Sequence, residues 1–309
     1  MGMDTGNELV AVVYGGTSVE KDASKANAVR IFKTLTELRY NARMIEYDKS
    51  AVWKLKELNP SCVFLCVQGK HHGDGTLQAI CDHLEIPYTG SKMTAAAVIN
   101  DKKVCKYLCR YAGIRTPESR SLTSREFERM DGGTLKRFLA PLGFPFVAKG
   151  VTQGGSYGIY LVKDEDGIGK IRELYEYDDE LLFEQFIDGR FLTVSILARE
   201  GIPQALPVVE GDNREKGDMI LFNRPFTVRE ARISGELKRK LEQSALALFD
   251  LYGAESYARV DFMLDEENRP YFLEINAVPG MREESFYPVA AGLAGISFAE
   301  LVETILKNR

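Results

Sequence analysis

The chain has 309 residues, of which 45% are hydrophobic and 28% charged, and its formal net charge is -5. This length predicts two or three domains, and an acidic balance without a basic block argues against a nucleic-acid partner. No apolar run reaches the roughly 18 residues of a membrane span, and residues 1–7 lack the pattern of a signal peptide. We therefore expect a cytoplasmic protein with neither a membrane nor a nucleic-acid partner.

The first ninety residues alternate strand and helix signals. Gly15 and Gly16 interrupt the pattern between an apolar run and a stretch with helical spacing of apolar residues. The predicted elements are a strand over residues 10–14, a helix from residue 18 onward, strands over 41–47 and 61–67, and a helix over 77–84. This order predicts a small open α/β sheet that ends near the turn at residues 87–90.

The middle of the chain predicts a long helix and then a hairpin. The helix spans roughly residues 92–112 and ends at Gly113, where a left-handed C-cap favours glycine. Residues 146–149 and 159–162 are predicted strands on either side of the glycine-rich turn 153–158. Unobstructed backbone N–H groups in this turn suit a phosphate. A simple hairpin turn explains the glycines about as well, because the turn fits neither the Rossmann nor the P-loop pattern.

The last third of the chain predicts mostly strands. They are expected over residues 182–187, 192–198, 255–264 and 270–276, with a mobile loop over 210–218 and helices over 234–251 and 297–307. The last helix is expected on the outer face of its domain. The five cysteines, Cys62, Cys66, Cys81, Cys105 and Cys109, lie in apolar or helical stretches and are predicted to be buried free thiols.

The predicted hairpin over residues 255–276 concentrates polar side chains. Pairing Leu264 with Tyr271 sets the register, and the period of two places two opposite pairs on one side of the sheet: Asp261 with Glu274, and Arg259 with Asn276. Like charges directly opposite each other destabilise a sheet. A divalent cation bound by Asp261, Glu274 and Asn276 would compensate, since oxygen ligands suit Mg²⁺ or Mn²⁺. An acidic face that merely pairs with lysines fits the pattern equally well.

Two lysines stand near the predicted turn and helix. Lys149 precedes the glycine-rich turn, and Lys102 lies near the front of the preceding helix. Each would neutralise phosphate if it reached the same cleft, although a single lysine is more often a solvated surface charge.

Six short blocks resemble, in order and over nearly the whole chain, the D-alanine–D-alanine ligase family of the ATP-grasp superfamily. They are residues 14–20, 73–78, 86–91, 101–102, 259–265 and 273–281. The resemblance implies an α/β (α+β) fold with three domains: an N-terminal open α/β sheet over 1–90, a central ATP-grasp domain over 91–186 and a C-terminal ATP-grasp domain over 187–309. ATP would lie between two antiparallel sheets.

The resemblance also implies ATP and Mg²⁺ (or Mn²⁺) as cofactors and assigns residues to them. The implied metal ligands are Asp261, Glu274 and Asn276. The implied ATP-binding residues are Lys102, Lys149, Gly154, Gly155, Ser156, Glu184, Phe186, Ile187, Lys216 and Glu274.

The implied reaction joins two amino acids. The γ-phosphoryl group passes to the first amino acid's carboxylate, and the second amino acid's amine attacks the resulting acyl phosphate. The resemblance implies catalytic roles for four residues: Glu20 holds the first ammonium, Ser285 holds the second carboxylate, and Arg259 with the Gly280 N–H stabilises the oxyanion.

The sequence departs from the family at four pocket positions. Gln68 replaces the usual histidine, Gly155 the serine of the glycine-rich loop, Gly217 the loop tyrosine, and Phe191 a ribose-binding glutamate of many relatives. These changes suggest a roomier site and leave three hypotheses open. The first is a D-alanine–D-alanine ligase that serves the cell wall, the second a related ligase for other amino acids in specialised metabolism, and the third a nucleotide-binding regulatory pseudoenzyme. Relatives are commonly homodimers, so we expect a homodimer.

Overall fold

A computed structural model describes residues 8–69, 73–155, 157–212 and 227–309 of the chain. Its N-terminal part is a three-stranded parallel sheet in the order β2-β1-β3. The elements are β1 (Leu9–Gly15), α1 (Lys21–Glu37), β2 (Asn41–Tyr47), α2 (Ala51–Leu58), β3 (Cys62–Leu65) and α3 (Thr76–His83). The central strand β1 is apolar and buried, as expected for a parallel strand covered on both faces.

The central part is a four-stranded antiparallel sheet in the order β4-β7-β5-β6. The elements are α4 (Met93–Asn100), α5 (Lys102–Tyr111), β4 (Ser119–Thr123), α6 (Ser124–Arg129), α7 (Gly132–Leu139), β5 (Phe146–Gly150), β6 (Tyr160–Val162), α8 (Ile171–Leu174) and β7 (Glu180–Gln185). The predicted hairpin around the glycine-rich turn is confirmed as β5–β6.

The single helix predicted over residues 92–112 is wrong. The chain leaves the helical conformation at Asp101, where ψ is 99°, and α5 starts at the next residue. The Asp101 side chain accepts a hydrogen bond from the Val104 N–H at 2.9 Å and caps α5. Aspartate is a favoured N-cap because its carboxylate satisfies an orphan backbone donor. Lys102 therefore stands at the start of a helix.

The C-terminal part is a second antiparallel sheet in the order β11-β10-β8-β12-β13, with β9 paired to β8. The elements are β8 (Arg190–Arg199), β9 (Ile202–Ala205), β10 (Val209–Asp212), β11 (Thr227–Glu230), α9 (Gly235–Leu251), β12 (Tyr257–Leu264), β13 (Pro270–Asn276), α10 (Phe286–Leu293) and α11 (Phe298–Lys307). The loop predicted over residues 210–218 is wrong at its start, because β10 continues to residue 212, and residues 213–218 lie outside the described residues.

The predicted register of the β12–β13 hairpin is confirmed for its polar pairs. Asp261 pairs with Glu274, and Arg259 pairs with Asn276. The pairing of Leu264 with Tyr271, from which this register was derived, is wrong, because Leu264 pairs with Pro270. A β-bulge between Asp261 and Phe262 adds one residue on β13 and shifts the pairing by one position.

The N-terminal and C-terminal sheets share one hydrophobic core. Val10 of β1 and Leu35 of α1 lie in the same buried cluster as Leu301 and Ile305 of α11. The last helix thus packs its apolar side into this shared core, while Glu300 and Lys307 on its other side are exposed. The five cysteines are buried and free, as predicted.

The parallel N-terminal sheet and the two antiparallel sheets confirm the predicted α/β fold class. Among the described residues, no single helix has the length and apolar character to cross a membrane. The helix pair α10 and α11 passes such a test by length and composition, with a bend of 104° between them.

Candidate active site

A cavity lies where the three sheets meet. The N-terminal part contributes Glu20 and Gln68, the central part Lys102 and Gly154, and the C-terminal part Glu274, among other residues. Lys102 Nζ lies 3.7 Å from Glu274 Oε2, so charged groups of the central and C-terminal parts meet directly in this cavity. The residues that the sequence predicted as separate motifs therefore converge.

The β12–β13 hairpin carries the acidic side of the cavity. Arg259 donates to both oxygens of Asp261, from Nε at 2.8 Å and from Nη2 at 2.7 Å. Asn276 Nδ2 lies 3.3 Å from Asp261 Oδ2 and 3.5 Å from Glu274 Oε1. Burial raises the pKa of Asp261 against the opposing effect of Arg259, and the Glu274 charge adds to the increase. The buried Asp261 carboxylate faces the partly exposed carboxylate of Glu274, and a cation would relieve the repulsion between them.

These residues fit a divalent cation that is shared with phosphate. Carboxylate oxygens and the carbonyl oxygen of an asparagine amide are ligand types that suit Mg²⁺ or Mn²⁺. Within the described part of the chain, no group of three or more His, Cys, Asp or Glu side chains is arranged to hold a metal. Mg²⁺ sites that phosphate oxygens complete typically have few protein ligands.

A buried carboxylate of the central sheet holds two lysines. Glu184 of β7 forms ion pairs with Lys149 of β5 and with Lys106 of α5. Burial alone would raise the pKa of Glu184, but the two ammonium groups outweigh it and lower the pKa to about 2. The same burial lowers the pKa of Lys106, whereas Glu184 and Glu274 raise the pKa of Lys149. The side chain of Glu184 therefore holds the Lys149 ammonium in place, within the electrostatic influence of Glu274.

Lys106 is a residue that the sequence reasoning missed. Its Nζ also donates to Thr116 Oγ1 at 2.7 Å, so it is held from two sides. The sequence did contain a signal for Lys106, because it lies four residues after Lys102 on α5 and residues at that spacing share one helix face.

Glu20 lies against three glycines. A Cβ at Gly155 would stand 3.0 Å from Glu20 Cγ, one at Gly69 would stand 2.7 Å from Glu20 Oε2, and one at Gly154 would overlap the same carboxylate. Gly155 also has a φ of +61°, a conformation that side chains disfavour. The replacement of the family's serine by Gly155 therefore lets the Glu20 carboxylate approach the loop backbone.

The environment of Glu20 changes its acidity. Burial raises the pKa of Glu20 to about 7, with Lys102 and Arg259 opposing the increase and Glu274 adding to it. A carboxyl with this pKa changes its charge near neutral pH.

The glycine-rich turn is attached at its first residues. Thr152 donates to Asp178 Oδ2 from its backbone N at 2.7 Å and from Oγ1 at 2.9 Å. Lys102 Nζ donates to the Gln153 carbonyl at 2.7 Å. The sequence reasoning missed Asp178, because nothing in the local pattern links it to a turn 26 residues away.

The segment after β13 brings two further predicted residues together. A Cβ at Gly280 would lie 3.2 Å from Ser285 Oγ, so these two residues are neighbours. Ser285 precedes α10, and its side chain makes no capping hydrogen bond to that helix. Its hydroxyl group is therefore not committed to the helix end.

An aromatic pair lies beside this segment. The rings of Phe191 and Phe286 meet edge to face with centroids 5.5 Å apart, and the Arg259 guanidinium lies 5.4 Å from the Phe286 centroid. Phe191 pairs with Met263 of β12 and Thr193 pairs with Asp261, so Phe191 and Asp261 point to the same side of the sheet.

The structure describes only some of the remaining residues that the sequence analysis singled out. Phe186 and Ile187 follow the last residue of β7 and are half-buried. Ser156, Lys216 and Gly217 lie outside the described residues.

Comparisons with known proteins agree with this architecture. Residues 108–307 match the family model of the D-ala D-ala ligase C-terminus. A D-alanine–D-alanine ligase of Pelotomaculum thermopropionicum is 33% identical over 307 residues, which cover 96% of this chain and 95% of the relative.

Solved structures give the same result. The D-alanine–D-alanine ligase of Bacillus anthracis complexed with ATP has a TM-score of 0.81 and 29% identity, covering 97% of this chain and 96% of that one. The VanG D-Ala:D-Ser ligase of Enterococcus faecalis has a TM-score of 0.82 at 23% identity, covering 97% of this chain and 99% of that one, and shows a shared fold. The chain belongs to the D-alanine–D-alanine ligase family.

Proposed function

We propose that this protein is an ATP-dependent, ADP-forming ligase that joins two amino acids, with D-alanine as both substrates. The observation that carries the proposal is the convergence of Lys102 with Glu274 at 3.7 Å in a cavity that Glu20 also lines. Cationic and anionic groups from different parts of the fold meet there, as a site for a nucleotide, a cation and an amino acid requires. The domain division at residues 1–90, 91–186 and 187–309 remains part of this proposal.

ATP would lie between the central and C-terminal sheets. Lys102 and Lys149 would contact its phosphates, with the backbone of Gly154, Gly155 and Ser156 above them. Phe186 and Ile187 would contact adenine, and Glu184 would act there partly by holding Lys149 in place. Lys216 would contact the γ-phosphate.

A divalent cation would be held by Asp261, Glu274 and Asn276. When bound, it would supply charge neutralisation between the phosphate groups. The proximity of these three side chains supports the assignment, because Asn276 Nδ2 lies 3.3 Å from Asp261 Oδ2 and 3.5 Å from Glu274 Oε1.

The chain's own residues would orient the reactants. Glu20 would bind the first amino acid's ammonium while an oxygen of that amino acid's carboxylate forms a bond to the γ-phosphorus and ADP leaves. The second amino acid, held at its carboxylate by Ser285, would then attack the acyl carbon with its amine and lose a proton. Arg259 and the Gly280 N–H would stabilise the oxyanion until phosphate leaves.

A second candidate is a ligase of the same type that takes a different amino acid. The edge-to-face pair of Phe191 and Phe286 supports it, because Phe286 directly follows Ser285 and places aromatic rings beside the residue proposed to hold the second amino acid. The homodimer and the cytoplasmic location also remain predictions.

ADP release with Mg-ATP, measured over a panel of D- and L-amino acids, tests the proposal. Mass spectrometry then identifies the product. Turnover with D-alanine alone, yielding the dipeptide, is the expected result. Turnover with another amino acid and silence with D-alanine would favour the second candidate, and ATP binding without turnover on any amino acid would refute both.

A further inference from the structure

The segment that carries Gly280 is held from outside its own domain. On one side of Gly280, the Val278 carbonyl accepts a hydrogen bond from Gln68 Nε2 at 2.6 Å. On the other side, the Met281 N–H donates to Asn27 Oδ1 at 2.9 Å, and the Met281 carbonyl accepts from Arg30 Nη1 at 2.7 Å. The three side chains belong to the N-terminal part of the chain, so this part fixes the backbone on both sides of Gly280.

Asn27 and Gln68 act as one unit. Asn27 Nδ2 donates to Gln68 Oε1 at 3.1 Å, and the Gln68 carbonyl accepts from Ser18 Oγ at 2.9 Å. Asn27 is only 3% exposed, so its amide has little access to water. A buried network in which every member is paired is rigid, because breaking one bond leaves a costly unpaired group.

The hydrogen bonds from the Met281 N–H through Asn27 and Gln68 to the Val278 carbonyl form a relay, and the donor and acceptor chemistry of its groups fixes the direction of each bond. The Met281 N–H is only a donor, so it requires the Asn27 oxygen, and the Asn27 nitrogen must then face Gln68. Gln68 consequently accepts with its oxygen and donates with its nitrogen to the Val278 carbonyl. No flip of either amide preserves all three bonds, so the relay specifies a single orientation of the segment.

The N-terminal end of the relay lies on a rigid part of the fold. Asn27 lies on α1, and Gln68 follows β3, whereas the other end of the relay follows β13. The hydrophobic core shared by β1, α1, α10 and α11 joins these layers behind the relay. The amide pair therefore connects a rigid frame to a short backbone segment beside Ser285.

We propose that Asn27 and Gln68 are positioning residues for the Gly280 N–H, so that the N-terminal part of the chain sets the geometry of the oxyanion donor. This inference rests on the proposed ligase function. It also gives Gln68, which stands where the family usually has histidine, a definite role as a neutral amide committed to the segment around Gly280. Losing one oxyanion donor typically costs about 10²- to 10³-fold in kcat, and misplacing it should cost part of that.

The test is steady-state kinetics of Gln68→Met, which keeps the length of the side chain and removes both of its hydrogen bonds. We expect kcat to fall about 10- to 100-fold while the KM for ATP changes by less than about twofold. Asn27→Ala should have a similar effect. The double variant should be about as slow as the slower single variant, because both changes break one relay.

The variant Gln68→His should restore kcat in a pH-dependent way. A neutral imidazole has one donor and one acceptor, which matches the two bonds of Gln68, whereas an imidazolium has two donors and conflicts with Asn27 Nδ2. This variant should therefore recover kcat at pH 8 and lose it below pH of about 6.5. A purely structural role would not produce this pH dependence.

Tyr40→Phe is the matched control. Tyr40 Oη donates to Glu303 Oε1 at 3.0 Å, which also links the N-terminal part to the C-terminal helices but lies away from the segment around Gly280. It should lower Tm and leave kcat unchanged. An active wild-type protein with an unchanged kcat in Gln68→Met would overturn the inference alone, whereas a wild-type protein that ligates no amino acid would refute the proposed function and this inference together.

Discussion

The two hairpins that line the cavity are organised in opposite ways. In β12–β13, the polar groups contact each other within the hairpin, as the bonds among Arg259, Asp261 and Asn276 show. In β5–β6, the edge strand β6 has only three residues, and the connecting turn is held by Asp178 and Lys102 from elsewhere in the chain. The first hairpin carries its own geometry, whereas the second receives its geometry from the tertiary fold.

This difference has a physical cause. A strand pairing fixes which side chains face each other, because successive residues alternate between the two faces. A glycine-rich turn has no such constraint, since glycine adopts many backbone conformations at little cost. External contacts must therefore select one conformation of the turn.

The largest expected effect comes from removing a carboxylate from the self-contained hairpin. Glu274→Gln should lower kcat by at least about 10³-fold, because metal-based charge stabilisation is worth several kcal/mol and each 1.4 kcal/mol is tenfold. Asp261→Asn should behave alike. Turnover and Tm are measured together, and Asp265→Asn, in the turn of the same hairpin, is the control that should stay active. Near-normal turnover of Glu274→Gln would exclude the proposed cation site.

The second expected effect concerns the buried lysine that supports the other hairpin. Lys106→Met should cost about 3–5 kcal/mol in the free energy of unfolding, because it leaves the buried Glu184 with one partner fewer. The KM for ATP should also rise, since Glu184 then binds Lys149 more exclusively.

Urea unfolding compares this variant with Lys103→Met. Lys103 pairs with the partly exposed Glu180 at 2.7 Å, and its loss should cost no more than about 1 kcal/mol. Equal losses of unfolding free energy in the two variants would mean that the group formed by Glu184, Lys106 and Lys149 has no special role.

The third effect is a pH dependence from the contact between Glu20 and the glycine-rich turn. Glu20 binds an ammonium only when ionised, and burial raises its pKa to about 7. The KM of the first amino acid should therefore fall about tenfold as the pH rises from 6 to 8, in step with the ionised fraction. In Glu20→Gln, the KM should be higher and flat over this range. A flat profile in the wild-type protein would contradict the role of Glu20.

The smallest expected effect tests whether the turn needs glycine because of its backbone or because of Glu20. Gly155→Ala combines a φ of +61° with a Cβ 3.0 Å from Glu20 Cγ, and it should raise the KM of the first amino acid about fivefold, equivalent to roughly 1 kcal/mol.

Gly143→Ala separates the two causes. Gly143 has a φ of +67° with nothing within 4 Å of a Cβ, so this variant carries the backbone strain alone. Both variants should lose stability, but only Gly155→Ala should change KM. A KM that responds equally in both would show that the contact with Glu20 is unimportant.

The pattern of the sequence predicted the β12–β13 strands and the residues that share one face of them. The facing pairs of Asp261 with Glu274 and of Arg259 with Asn276 also needed a register, and they are correct only because the bulge offsets the wrong pairing assumed for Leu264. The bulge after Asp261 was not predictable, because it depends on how β13 meets the neighbouring strands. The break at Asp101 was missed for another reason: apolar spacing continues through residue 101, and only the cap reveals the boundary.

The sequence by itself determined the strands, the acidic hairpin face and the family resemblance, because these depend on local periodicity and on short ordered motifs. Only the tertiary structure decided that Lys106 and Lys149 share Glu184, that Asp178 holds the glycine-rich turn, and that Asn27 and Gln68 hold the backbone around Gly280. These contacts join residues far apart in the chain. Their specificity comes from burial and complementary hydrogen bonding, which exist only once the three sheets are assembled.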